Sequence, residues 1–300
     1  MISVALIAIA LAASTDAFIR SENILNVLRQ ASLTFLIASG LTLVVLTAGL
    51  DLSVGAVVGL SACLTGAAVK ATGSIPLGIA VGLACGVVIG IANGLMVTSL
   101  KLPPFIATYG MLWIVYGINY WYMAGDTIYG FSDEFKSIGN GYALGVPIPV
   151  YLMIAFLILG TLFTRNTTYG HEIYAIGANA EAARLSGIPV RARLVLVYTL
   201  SGAMAGLAGV VYLARLGSAE AGIGDPLLLP VIAAVLIGGT SLFGGSGSLC
   251  GTLIGALILT LVLNGMNLLT VNAHWHPLVY GGVVLIAAGL DAAARKWSDG

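Results

Sequence analysis
Six polar side chains interrupt apolar stretches of this 300-residue chain: Asn93, Thr108, Asn119, Tyr120, Asn264 and Asn267. None suits contact with hydrocarbon, so each must either hydrogen-bond to a neighbouring helix or line a wet path for a solute. A proton relay would need Lys or Glu pairs within the same stretches, and these are almost absent. The sequence GGSG at 244–247, followed by His274 and His276, has the parts of a serine nucleophile and its base. A helical span would separate Ser246 from His274 by about 20 residues, roughly 30 Å, so that dyad cannot close. The glycines of 238–251 fit a tight interfacial turn with unusual φ angles better. No lysine has the Gly-Lys-Ser/Thr context of a phosphate-cradling loop, and no CxxC or HExxH occurs. Cys63, Cys85 and Cys250 lie inside apolar runs, where cysteine packs as a small hydrophobe.

The elements that must position these residues follow from composition. Apolar types make up 59% of the chain and charged types 8%, and mean hydropathy is +1.05. Twelve basic and twelve acidic residues cannot wet the surface of a soluble domain this long. A soluble enzyme, a nucleic-acid binder and a disordered chain are excluded, leaving an all-α polytopic membrane protein. The 40 glycines suit close helix packing in lipid. The apolar runs are long and continuous, which favours helices over the short alternating segments of a barrel. About ten spans are expected, at 1–17, 31–49, 53–70, 76–98, 104–123, 148–164, 191–214, 228–243, 249–270 and 276–291. The stretch 21–30 (SENILNVLRQ) reads as a separate amphipathic surface helix with Ser21 as its N-cap. The apolar start lacks a basic region, which points away from a cleaved signal peptide.

With the N-terminus inside, Lys101, Arg165, Arg184, Arg191, Arg193, Arg295 and Lys296 fall on the cytoplasmic side. Arg20, Arg29, Lys70, Lys136 and Arg215 fall outside, and both termini are cytoplasmic. The longest outer loop is 125–149, and the longest inner segment is 165–190. Within the latter, 180–185 (AEAARL) has high helix propensity, Asn179 can cap it, Gly187 can end it and Pro189 lies just beyond. A capped helix on the cytoplasmic face has the shape of a docking element, and it could equally be an ordinary loop helix. The segments 91–96 (IANGLM) and 262–267 (VLNGMN) resemble each other, and Asp51 and Asp225 show the same offset of five spans. An odd offset suggests an inverted repeat of spans 2–5 and 7–10.

Five motifs then carry a family resemblance: GLDLSVG at 49–55, NAEAARLSGIPV at 179–190, GGTSLFGGSG at 238–247, GTLIGALIL at 251–259 and NGMNLL at 264–269. In this order they resemble the membrane permease of ribose-type ABC sugar importers, within the wider group that includes branched-chain amino-acid permeases. The resemblance implies a single permease domain over 1–300 in a bacterial inner membrane, working with a second permease copy, identical or related. It also implies ATP-binding cassette subunits inside and a periplasmic sugar-binding protein outside, with no nucleic-acid partner. The chain itself would not be an enzyme and would hold no cofactor, ATP and Mg belonging to the partner subunits. Asn179, Glu181, Ala182, Ala183, Arg184, Leu185 and Gly187 match the family's coupling region to the ATPase. Departures are Pro189, where many relatives have Asn, and HWHPL at 274–278. The alternatives are a self-sufficient carrier or channel, and an ABC permease for an amino acid or nucleoside.

Overall fold
A computed structural model describes residues 2–282 and Leu285. The first helix, α1 (Ile2–Ser14), is apolar but short, and α2 (Ser21–Leu46) follows it. Next come α3 (Val54–Thr72), α4 (Ile75–Thr98) and α5 (Pro104–Met123). A small cap follows: β1 (Ile128–Tyr129), α6 (Asp133–Asn140), β2 (Tyr142–Ala143) and β3 (Val146–Pro147). The chain continues through α7 (Ile148–Asn166), α8 (Thr168–Ala178), α9 (Ala180–Leu185) and α10 (Val190–Leu216). It then forms β4 (Ser218–Ala219), a 3₁₀ turn (Asp225–Leu227), α11 (Leu228–Ile237) and α12 (Leu249–Leu268). Residues 276–282 are again helical. Six helices, α2, α3, α4, α7, α10 and α12, are long and apolar enough to cross a membrane. The α5 helix has 20 residues but lacks the apolarity, because aromatic and polar groups fill one side.

Two expected boundaries move. The segment 21–30 is the first part of α2, not a separate surface helix, and the helix is preceded by Arg20 rather than capped by Ser21. No Gly or Pro interrupts 21–39, and the two asparagines of 21–30 find protein partners: Asn23 pairs with Asn264, and the Arg215 guanidinium donates to Asn26 Oδ1 at 3.4 Å. The expected span 228–243 ends at Ile237 as α11, because Gly239 turns the chain with φ of 78°. Of the expected span 276–291, residues 283–284 and 286–291 lie outside the described residues.

At the centre stands α2, whose Phe35, Leu36, Ile37, Leu41 and Val45 are buried among α7, α10, α11 and α12. Beside it α4 runs antiparallel to α10 along a row of Gly82, Gly86, Gly90 and Gly94. Spacing of four places these glycines on one face. A Cβ on Gly86 would collide with the Gly202 carbonyl, one on Gly90 with the Tyr198 carbonyl, and one on Gly94 would lie 2.7 Å from Val195 Cα. Two backbones can approach this closely only without side chains between them, the small-residue packing that membrane helices use.

The bundle has two distinguishable ends. At one, α6 rests on the last turn of α10, with Asn140 Nδ2 donating to Arg215 O at 2.7 Å and Phe135 fully buried. There β1 pairs antiparallel with β4 (Ile128↔Ala219), tying the two halves together. Strands β2 and β3 form a hairpin through Leu144 and Gly145, both with positive φ as a two-residue hairpin turn requires. The other end carries α8 and α9.

Candidate functional site
At the α9 end the sequence builds a protruding, locally specified element. Thr167 caps α8, its Oγ1 accepting from Gly170 N at 3.1 Å. Asn179 caps α9, its Oδ1 accepting from Glu181 N at 3.1 Å and Ala182 N at 2.9 Å. These contacts satisfy backbone donors that a helix start leaves free. The helix stops at Leu185, with Gly187 at φ of 85° and Ile188 N donating back to Ala183 O at 3.1 Å. Glu181 and Arg184 pair across one turn at 2.5 Å on the solvent side. The Arg184 guanidinium holds the Glu181 carboxyl below the ordinary carboxylate range. Ala183 is buried, whereas Leu185 at the tip is 75% exposed.

This tip is bolted to the bundle through α8. Ile173 is buried against Val44, Leu46, Val197 and Tyr198, so α8 grips the end of α2 and the start of α10 together. Gly177 lies so close to the Leu46 carbonyl that a Cβ there would collide. The turn 238–247 completes the grip: Gly245 N donates to Leu46 O at 2.9 Å, and Tyr174 OH donates to Gly247 O at 2.9 Å. Gly244, Gly245 and Gly247 have φ of 82°, 72° and 144°, which accounts for the glycine-rich motif. Arg193, near the start of α10, pairs with Glu172 and lies 4.1 Å over the Tyr169 ring. Arg191 Nη2 donates to Ser99 Oγ at 2.6 Å, joining the same end to the segment after α4. The α9 tip is thus tied through α8 to α2, α10 and the α11–α12 turn. Ser246 precedes α12 and His274 follows it, so the whole of that helix stands between them.

The six polar residues separate into distinct neighbourhoods. Asn93 Nδ2 donates to Ser53 Oγ at 2.8 Å and points at Asp51 Oδ1 from 3.5 Å. Asp51, 1% exposed, also accepts from Ser53 Oγ at 2.6 Å and Ser201 Oγ at 2.9 Å. Thr108 Oγ1 donates to Leu50 O at 3.1 Å, and Tyr198 OH reaches the same carbonyl at 3.4 Å. Thus the irregular segment between α2 and α3 is tied to α4, α5 and α10. Asn119 Nδ2 donates to Ala221 O at 2.7 Å, and Tyr120 OH donates to Asp225 Oδ2 at 3.3 Å, both against the segment after β4. Asn264 exchanges two hydrogen bonds with Asn23, at 2.7 and 3.1 Å. Asn267 is exposed on the last turn of α12. Asp51, Ser53 and Ser201 escaped the sequence reading as site residues, although Asp51 and Ser53 sit inside the GLDLSVG motif. Among the described residues no cluster of three His, Cys, Asp or Glu side chains could hold a metal.

Comparison with known proteins gives the chain's family and relatives. The family model described as branched-chain amino acid transport system / permease component matches residues 23–288. The chain is 45% identical to the ribose import permease protein of Bacillus subtilis over 277 residues, covering 91% of this chain and 86% of that protein. Identity to the ribose import permease protein of Escherichia coli K12 is 40%, covering 91% and 87%. Identity to the fructose import permease protein of Rhizobium meliloti is 37%, covering 90% and 78%. No solved structure matches.

Proposed function
The chain belongs to the family of branched-chain amino acid transport system permease components, and from that premise we propose that it is the membrane subunit of an ATP-driven importer for a ribose-like monosaccharide. In this reading a periplasmic binding protein delivers the sugar at the α6 end. Two permease copies, identical or related, enclose the path. Cassette subunits at the α9 end bind and hydrolyse ATP with Mg, and this chain performs no covalent chemistry. The α9 end is cytoplasmic, as are both termini, in a bacterial inner membrane. About ten spans cross it, counting α1, α5, α11 and the segment from 276 with the six long apolar helices. An inverted relation of spans 2–5 and 7–10 would place α4 and α12 in equivalent roles. Asn93, Thr108, Asn119, Tyr120, Asn264 and Asn267 belong to the helices that shape the path. Import names on relatives of 37–45% identity support a sugar cargo. The family description favours one second reading, a branched-chain amino acid as cargo.

The observation that carries the mechanism is the capped, exposed α9 with its rigid seat on α2, α10 and the 238–247 turn. Closure of an ATPase pair would push on Leu185 and the Glu181–Arg184 face, and α8 would pass the movement to α2 and α10 together. The bundle would then rock between outward and inward openings. Replacing 181–184 with Gly and Ser leaves the bundle folded in this reading, because the segment contributes little besides Ala183 to buried packing. Transport should be lost while the assembled complex still hydrolyses ATP. Uptake at the normal rate by that variant would overturn the coupling role.

A further inference from the structure
The exposed side of α5 differs in chemistry from those of the helices around it. Exposed large residues on α4 are Leu77, Leu83, Val88, Ile91 and Leu95, a face that hydrocarbon suits. On α5 one edge of the exposed side carries Phe105, Tyr109, Trp113 and Tyr120, with Tyr116 half-buried between them, and the other edge carries Ile106, Ile114 and Ile118. Steps of four, four, three and four keep the aromatic residues on one face of a helix. Their rings follow one another closely: Phe105 stacks on Tyr109 at 5.8 Å, Trp113 meets Tyr109 edge-on at 6.2 Å, and Tyr116 meets Trp113 edge-on at 6.0 Å. The ladder climbs about 22 Å, most of the thickness of a bilayer core of roughly 30 Å. At its α6 end Tyr120 OH donates to the Asp225 carboxylate, which Tyr116 also faces.

Lipid suits the isoleucine edge but does not explain the aromatic one. Interfacial aromatics gather at the two boundaries of a membrane, not continuously through it. Tyrosine hydroxyls and an indole N–H aimed at acyl chains would lack partners. A tight pairing with a second helix would satisfy the rings but would enclose the Asp225 carboxylate, whose one titratable neighbour in its pocket besides tyrosine is His276, and burying a carboxylate is costly. A monosaccharide meets every requirement. The C–H face of its ring is apolar and slightly positive, matching the negative face of an aromatic ring, and its hydroxyls can pair with the tyrosines and with Asp225. Steps of about 6 Å between rings offer successive weak platforms, and conduction needs several weak sites, not one deep one. We propose that the aromatic ladder of α5 is a wall of the translocation path, along which the sugar moves from Tyr120 and Asp225 toward Phe105. This rests on the sugar-import reading above and adds the surface that holds the cargo within the membrane.

The test uses the assembled importer in native membrane vesicles, with Cys63, Cys85 and Cys250 replaced by Ala. Single cysteines are introduced as Tyr109→Cys and Trp113→Cys, with Val88→Cys on α4 as the lipid-facing control. A small water-soluble thiol reagent is applied with and without ribose, allose, fructose or galactose. Positions 109 and 113 should react, position 88 should not, and the transported sugar should slow the reaction roughly three- to tenfold. Reactivity at 109 and 113 no greater than at 88 overturns the proposal, as does a cross-link between two copies that sugar does not affect. Uptake by the unmodified importer is read separately. If it takes up none of the four sugars, the sugar-import reading falls and the ladder with it; if it takes up one, a failed labelling result removes the ladder alone. Should the cysteine variants not assemble, Trp113→Phe should keep the wild-type KM and Trp113→Leu should raise it roughly three- to tenfold. Equal KM values for the two would overturn the proposal.

Discussion
Glycine serves opposite ends on α4 and α5. Along α4 each of Gly82, Gly86, Gly90 and Gly94 is pressed against a neighbour, and three of the four press on α10 backbone. Along α5, Gly110 and Gly117 face open space, with no atom of the described residues within 4 Å of where a Cβ would stand. The first row makes a seam that fixes two helices as one unit. The second pair lies beside the aromatic ladder, on a side left open among the described residues. In the proposed rocking mechanism a rigid seam next to an open face has a use: one part moves as a body, and another stays clear for cargo. The seam is also continuous with the α9 end, since Tyr198 of α10 contacts Gly90 and packs with Ile173 of α8.

This contrast can be broken or sharpened by substitution. The largest effect is expected at the seam: Gly86→Leu or Gly202→Leu should give no folded permease. The added side chain meets backbone on both sides, so the cost exceeds the ~1–3 kcal/mol typical of overpacked cores. Membrane yield and monodispersity in detergent check this, and normal yield would show that the seam can open. Next, Asp51→Ala strands Ser53, Asn93 and Ser201 beside α4 and α10 and should cost about 1–3 kcal/mol in detergent unfolding. A change below that range would detach the Asp51 cluster from the rigidity of the seam. Asn264→Leu removes the reciprocal pair with Asn23 on a different helix contact, and about 0.6–2 kcal/mol is expected there. The smallest change belongs to the open face. Gly117→Leu should leave stability within about 0.5 kcal/mol of wild type. A large loss at Gly117 would mean that α5 is packed as tightly as α4, and the contrast would collapse.

The sequence made some elements legible to the residue and others not. The α9 helix was read at 180–185 and occurs as Ala180–Leu185, because its cap, its propensity and its terminating glycine all lie within a few residues. The helix expected at 104–123 occurs as α5, opened by the Pro103–Pro104 pair, although it is not among the six helices apolar enough to cross a membrane. The run at 21–30 was misread as an interfacial helix for a physical reason. Ser21 and Glu22 are exposed, but Asn23, Asn26 and Arg29 turn to protein and meet Asn264, Arg215 and the ring of Tyr142. An amphipathic pattern states that one side is polar, not whether water or protein satisfies it. The same limit hid the Asp51 cluster, whose partners Asn93 and Ser201 lie 42 and 150 residues away.

By itself the sequence determined what a segment's own residues decide: partition into lipid, helix length, caps, and the turns where glycine permits a positive φ. These depend on local sterics and on the burial of each segment's own apolar groups, so they can be read without neighbours. Tertiary structure alone decided which polar groups meet inside the bundle, which glycines touch a backbone and which face open space, and that α8 grips α2 and α10 at once. Those outcomes depend on how distant helices pack, and in an interior without water a polar side chain takes its partner from whichever helix packing brings within reach.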